Sequence, residues 1–285
     1  MPGPLGGEDL VERLTLLVAS VGLAVVLGAN VGARSANEEN DTDPSSTASS
    51  GYRINKAISV SSVAGVAATR LELLEDERLT PKIRETWQGV GAAMSCAEPA
   101  DDPDVARLCA SFAEHPLRGA LLRLVSESQG VLDQRLFERE VADLTPARLY
   151  DAGPAVFAVT VDYSVGFGSY AGPTTSFVEP SRGQLRWLAA YDSSTGKPAE
   201  VRLPRTLKSD WQTVPRPGGL DILAVRCQPN VGNESPTHLG GGGLSFVVIY
   251  ERYHFDGSRW LRQQRQEAGF WESDHEFPAN EKFPN

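Results

Sequence analysis

Ser245-Phe-Val-Val-Ile-Tyr-Glu-Arg-Tyr-His-Phe255, then Asp256-Gly257, then Ser258-Arg-Trp-Leu-Arg-Gln-Gln-Arg-Gln266 is the stretch whose reading decides the fold. Its two arms are rich in β-branched and aromatic residues, and Asp-Gly between such arms is a strong short-range hairpin signal. Working outward, Ala155–Val165, Gln184–Asp192 and Leu220–Gln228 carry the same period-two character and read as strands. Ser193-Ser-Thr-Gly196 reads as a turn leading into a further strand near Glu200–Leu203. The intervening segments Gly166–Pro180 and Pro229–Gly243 are rich in glycine and proline and are expected to be long loops. Residues 151–285 therefore form a mainly antiparallel β subdomain, with an aromatic extension at its C-terminal end.

Upstream the apolar spacing changes. Val63, Val66, Ala67, Leu71 and Leu74 recur at three and four residues, as on one face of a helix. Thr80-Pro81 is a helix start, Thr as the cap and Pro at the first helical position, and Ile83, Trp87 and Val90 continue one face. Further helices are expected over Asp104–Ala113, Pro116–Ser126 and Val131–Leu144. Residues 54–150 thus read as a helical subdomain, and helices followed by strands give the α+β class.

Residues 37–53 are polar and acidic, with almost no large apolar side chains, and read as a flexible linker. Residues 1–36 hold the uncharged run Leu14–Ala33, which is long enough to cross a bilayer as a helix of roughly 20 residues. Two readings compete for it. Acidic Glu8, Asp9 and Glu12 before the run and its length favour an uncleaved anchor, whereas Val31-Gly32-Ala33 is a tolerable signal cleavage site. Either reading sends the rest of the chain out of the cytoplasm. It is then membrane-anchored through Leu14–Ala33 and facing the extracytoplasmic side, or secreted or periplasmic after cleavage at Ala33.

With 27 Lys and Arg against 37 Asp and Glu, the chain carries a formal charge of −10. Such an acidic balance disfavours nucleic acid, because phosphate binding is dominated by Lys and Arg contacts. Three cysteines are present. Cys96 and Cys109 flank a turn-rich segment, and in an oxidising compartment they are expected to form a disulfide; Cys227, in apolar surroundings, is expected to be an inert core thiol.

No catalytic motif stands out. Gly166-Phe-Gly168-Ser-Tyr-Ala171 resembles a dinucleotide fingerprint, but Gly172-Pro173 follows where a helix should open, and no G-x-S-x-G occurs. No cofactor is expected, and no metal motif is matched. The densest polar group is His254, Asp256, Glu272, Asp274 and His275, the candidate catalytic set if the chain is an exported hydrolase or metal-dependent enzyme. Trp187, Tyr191, Tyr250, Tyr253 and Trp260 lie on expected strands, where alternation must turn some of them away from a one-sided core; they are the candidate ligand-binding set. The preferred expectation is a non-catalytic envelope module that binds a protein or small-molecule partner. The other alternative is a structural subunit of a membrane assembly.

Overall fold

The computed structural model describes residues 51–60, 69–87, 96, 102–112, 114–164, 169–230 and 245–285. The run Leu14–Ala33 and the linker up to residue 50 lie outside them. Among the described residues no helix is long and apolar enough to cross a membrane.

Strands dominate from residue 52 onward. The first sheet is the antiparallel meander β1 (Tyr52–Val60), β2 (Thr69–Asp76), β3 (Leu121–Ser126) and β4 (Gly130–Leu136). Among the described residues between β2 and β3 are two short helices, α1 (Pro81–Trp87) and α2 (Pro103–Phe112). The second sheet contains β5 (Ala142–Ala147), β6 (Val156–Asp162), β7 (Pro173–Ser181) and β11 (Arg202–Pro204), in the order β11-β7-β6-β5, with β8 (Gln184–Trp187) pairing the second half of β7. The third contains β9 (Ala189–Asp192), β10 (Pro198–Glu200), β12 (Ser209–Arg216), β13 (Gly219–Pro229), β14 (Phe246–Phe255) and β15 (Trp260–Ala268). Its order is β10-β9-β15-β14-β13-β12, and its one parallel pairing is β15 with β9.

The second sheet is the middle layer. Side chains alternate across a strand, and the two faces of β6 enter different cores. Phe157, Val159 and Val161 pack with Leu71, Leu73, Leu122 and Leu124 of the first sheet. Val156 and Ala158 pack with Ile222, Ala224, Tyr253 and Trp260 of the third. The outer face of the third sheet is covered in turn by the chain's end: Leu223, Val225, Cys227, Val248 and Tyr250 lie under Trp271 and Phe283.

The helical subdomain expected over residues 54–150 is corrected by this architecture, which is β-rich: among the described residues there, five strands stand against two short helices. Val63, Val66 and Ala67 lie outside the described residues, while Leu71 and Leu74 belong to β2. The helix expected over Pro116–Ser126 is β3, and that over Val131–Leu144 is divided between β4 and β5. The cause is burial on both faces. Leu122 and Leu124 point into one core while Leu121 and Val125 are buried on the other side, so the apolar run loses its alternation and imitates a helical stripe.

The loop expected over Gly166–Pro180 is likewise corrected, since β7 occupies most of it. Thr175 and Ser176 are buried, and Thr160 and Thr175 share a cross-strand hydroxyl hydrogen bond of 2.8 Å. Pro173 is tolerated as the first residue of the strand. In the Pro229–Gly243 segment only residues 229 and 230 are described.

Local signals hold where chemistry acts within a few residues. The Ile83 N–H donates to Thr80 Oγ1 at 3.3 Å, so Thr80 caps α1 as its sequence predicts. In the β14–β15 hairpin Phe255 pairs with Trp260, and the Asp256 N–H bonds to the Arg259 carbonyl at 3.0 Å, which makes a four-residue connection. Gly257 there has φ +101°, a conformation that favours glycine.

The expected Cys96–Cys109 disulfide is present, with a Cα–Cα distance of 5.3 Å, and it staples α2 beside a small core of Leu79, Ile83, Trp87, Val105, Leu108 and Leu117. Replacing both cysteines with serine is expected to lower stability by about 3 kcal/mol, the loop-closure value for a bridge of this span. Urea unfolding would show it; an unchanged midpoint would mean that the bridge constrains nothing the fold had not already fixed.

Candidate functional site: an aromatic cleft

A cleft of about 510 Å³ opens beside Leu188, where the chain leaves β8 of the middle sheet and enters β9 of the third. Three features build its walls: the loop after Leu149, the β7–β8–β9 crossing, and the Asp256–Arg259 turn of the β14–β15 hairpin. Strands that switch between stacked sheets make corners of this kind, because twisted sheets diverge there.

Tyr150 is the pivot. Its hydroxyl donates to Glu179 Oε1 at 2.8 Å and accepts the indole N–H of Trp260 at 2.8 Å. Its ring meets Phe255 at 5.1 Å and Trp260 at 6.0 Å between centroids, and those two stand 5.8 Å apart. Burial, with the Glu179 carboxylate adjacent, holds the phenol far above its ordinary range, so Tyr150 remains a hydrogen-bond donor at every physiological pH. The loop carrying it is tied down by the β12–β13 turn, through Leu220 N–H to the Leu149 carbonyl and Asp151 N–H to the Gly218 carbonyl. Gly219 makes that approach possible: it has φ +150°, and a Cβ there would lie 2.3 Å from the Leu149 carbonyl oxygen.

Across the cleft, Trp187 is half-buried. The Arg135 guanidinium stacks 4.0 Å above it and Phe137 meets it edge-on at 6.0 Å; Arg135 also pairs with Glu200 at 3.1 Å. Tyr191 lies under Arg259, 5.0 Å from its guanidinium.

The five aromatic residues nominated by the sequence divide. Trp187, Tyr191 and Trp260 line this one cleft. Tyr250 is buried on the outer face of the third sheet, 5.5 Å from Phe283. Tyr253 is buried between the second and third sheets, with its hydroxyl 3.3 Å from Glu251. Sequence reading did not nominate Tyr150, Glu179, Arg186, Phe255 or Arg259. The Asp-Gly turn marks Phe255 and Arg259 by adjacency, but nothing local marks Glu179, which reaches the cleft only through the pairing of β7.

The polar set does not assemble. His254 Nδ1 is 2.9 Å from Asp221, a buried carboxylate that also pairs with Arg216 at 2.9 Å and Arg252 at 3.4 Å. Asp256 shapes its own turn by accepting the N–H groups of Ser258 and Arg259 at 2.8 and 3.0 Å. The Arg259 amide, then the Ser258 amide and hydroxyl, hold its carboxyl down at about 2. Glu272 receives the Lys208 ammonium, which also lies 3.5 Å from the Phe270 ring centroid. Asp274 and His275 are exposed, 3.9 Å apart. Among the described residues no three His, Cys, Asp or Glu side chains converge as a metal-binding group would. Comparison with family models, curated proteins and solved structures finds no match to this chain.

Proposed function

We propose that this protein is a non-catalytic extracytoplasmic binding module whose aromatic cleft takes a small molecule. The observation that carries this reading is the convergence of Tyr150, Trp187, Tyr191, Phe255 and Trp260 on one concave site of about 510 Å³. That volume lies within the ordinary range for small-molecule sites, which combine apolar walls with a few placed polar groups. The polar handles of Tyr150 and Trp260 are spent inside the wall, on Glu179 and on each other, so the cleft offers ring faces. The dispersal of His254, Asp256, Glu272, Asp274 and His275 onto separate structural partners favours binding over hydrolysis.

The address rests on Leu14–Ala33 as an anchor or signal, and the Cys96–Cys109 bridge supports an oxidising compartment. Fractionation of the host with mass spectrometry of the N-terminal peptide tests it. An intact chain in the cytoplasm would remove the address.

Binding is tested by calorimetry of the full-length chain with naphthalene probes that are neutral, anionic and cationic. At least one is expected to bind with one-to-one saturation. Ala189→Trp, which fills the cleft from an exposed position, and Tyr191→Ala are each expected to weaken it at least tenfold. Affinity indifferent to both substitutions would place the ligand elsewhere and end this reading.

A further inference from the structure

The electrostatic inventory of the cleft, taken with the reading above on which this inference rests, narrows its ligand class. Five titratable side chains line it: Tyr150, Glu179, Arg186, Tyr191 and Arg259. Glu179 and Tyr150 are engaged with each other. Arg186 stands directly opposite Glu179 in the β7–β8 register, a position where a cross-strand ion pair is the expected outcome. No such pair forms: Glu179 is turned toward Tyr150, and Arg186 has no hydrogen bond, ion pair or ring contact among the described residues. Arg259 is held from below by the Tyr191 ring, and its nearest carboxylate oxygen, on Asp256, is 3.7 Å away, beyond hydrogen-bonding distance. Two arginine side chains with unspent fork donors therefore line a ring-walled cleft, while one oxygen of its single carboxylate is taken by Tyr150.

Guanidinium forks match planar oxyanions in two parallel hydrogen bonds, and their preformed geometry loses little freedom on binding. Ring faces beside them favour a flat apolar body. We infer that the cleft binds a small aromatic carboxylate, its ring against Trp187, Tyr191 and Phe255 and its carboxylate held by Arg186 and Arg259.

The experiment is titration of the full-length chain with 2-naphthoate, 2-naphthamide and 2-naphthylmethylammonium, read by calorimetry. The naphthoate is expected to bind at least tenfold more tightly than its neutral amide, with the ammonium weakest. Arg186→Gln and Arg259→Gln, both at exposed positions outside the core, are each expected to cost about tenfold in naphthoate affinity and to leave naphthamide unchanged. Equal affinity for naphthoate and naphthamide, or arginine variants that weaken both alike, would overturn the anion assignment while leaving a ring-binding cleft. Failure of all three probes to bind would overturn the cleft reading along with it.

Discussion

A chain ending at Gly269 is expected to lose most of its stability and to expose a thiol that the intact protein conceals. The last sixteen residues of the sequence are the cover of the third sheet. Trp271 and Phe283 are buried against Leu223, Val225, Val248 and Tyr250, and Phe277 stacks on Phe283 at 5.7 Å between centroids. Polar ties hold the cover in register: Lys208 to Glu272, Lys282 to Glu267 at 3.0 Å, and Arg252 to the Asn280 side-chain oxygen at 2.8 Å. Large-to-small substitution of buried aromatic residues costs about 3–5 kcal/mol each, so Trp271→Ala and Phe283→Ala are each expected in that range. Removing the whole segment uncovers five apolar side chains of a sheet at once, against a typical total stability of about 5–15 kcal/mol. Cys227 supplies a second readout. It is 1 % exposed under this cover and is the only cysteine outside the disulfide. It should react slowly with a thiol reagent in the full chain and rapidly after truncation. An unaltered urea midpoint with an unreactive Cys227 would show that the segment only rests on the surface.

The second large effect is expected at Asp76, which is fully buried at the end of β2. Its carboxylate accepts Arg78 Nε at 2.9 Å, Arg78 Nη2 at 2.7 Å, and the backbone N–H groups of Arg78 and Arg118 at 3.0 and 2.9 Å. Arg78 goes on to the carbonyls of His115 and Pro116 at 2.8 and 2.9 Å. One carboxylate thus fixes the entry to the helices and the approach to β3. Asp76→Ala leaves a guanidinium and two amides without their acceptor and is expected to cost about 3–5 kcal/mol. Burial alone would raise the carboxyl's pKa, but the hydrogen bonds from Arg78 and Arg118 outweigh it, and the net direction is down. A group whose folded pKa is depressed contributes stability that is present above its unfolded pKa, about 3.9 for Asp, and is lost as pH falls through the folded value.

Glu72, paired with Arg70 at 2.6 Å and Arg123 at 2.8 Å, is lowered too, its burial outweighed by both arginines, and it acts in the same direction. Glu75 acts in the opposite sense. It is fully buried, and burial outweighs Arg84 and raises its pKa, so its contribution is fullest below its unfolded pKa and fades as pH rises through the folded value. Urea midpoints measured from pH 7 down to pH 3 should therefore fall for the parent protein. Asp76→Asn should begin lower and fall less steeply; parallel curves for the two would remove Asp76 from the acid response.

What could be read without a structure was what chemistry decides within a few residues. Asp256-Gly257 announced the hairpin because a turn's backbone demands are local, and Thr80-Pro81 announced a helix cap for the same reason. Cys96 and Cys109 could be paired because the bond joins positions only thirteen apart. The strands β13 and β14 of the third sheet kept the β-branched and aromatic composition of their class.

Tertiary structure decided the rest, through contacts whose partners the sequence does not announce. Leu121–Val125 became a strand because the first sheet buries both of its faces, which erases the alternation that distinguishes strand from helix. Pro173–Ser181 became a central strand because the hydroxyls of Thr160 and Thr175 satisfy one another inside the sheet. The cleft is the clearest case. Tyr150, Glu179, Trp187 and Trp260 span more than a hundred positions, and only the stacking of the second and third sheets brings them to one corner. Local sequence determines which segments can turn, cap and pair, because backbone geometry and short-range hydrogen bonds act over a few residues. Which side chains meet is decided by how the sheets bury their faces, and burial is a property of the whole fold.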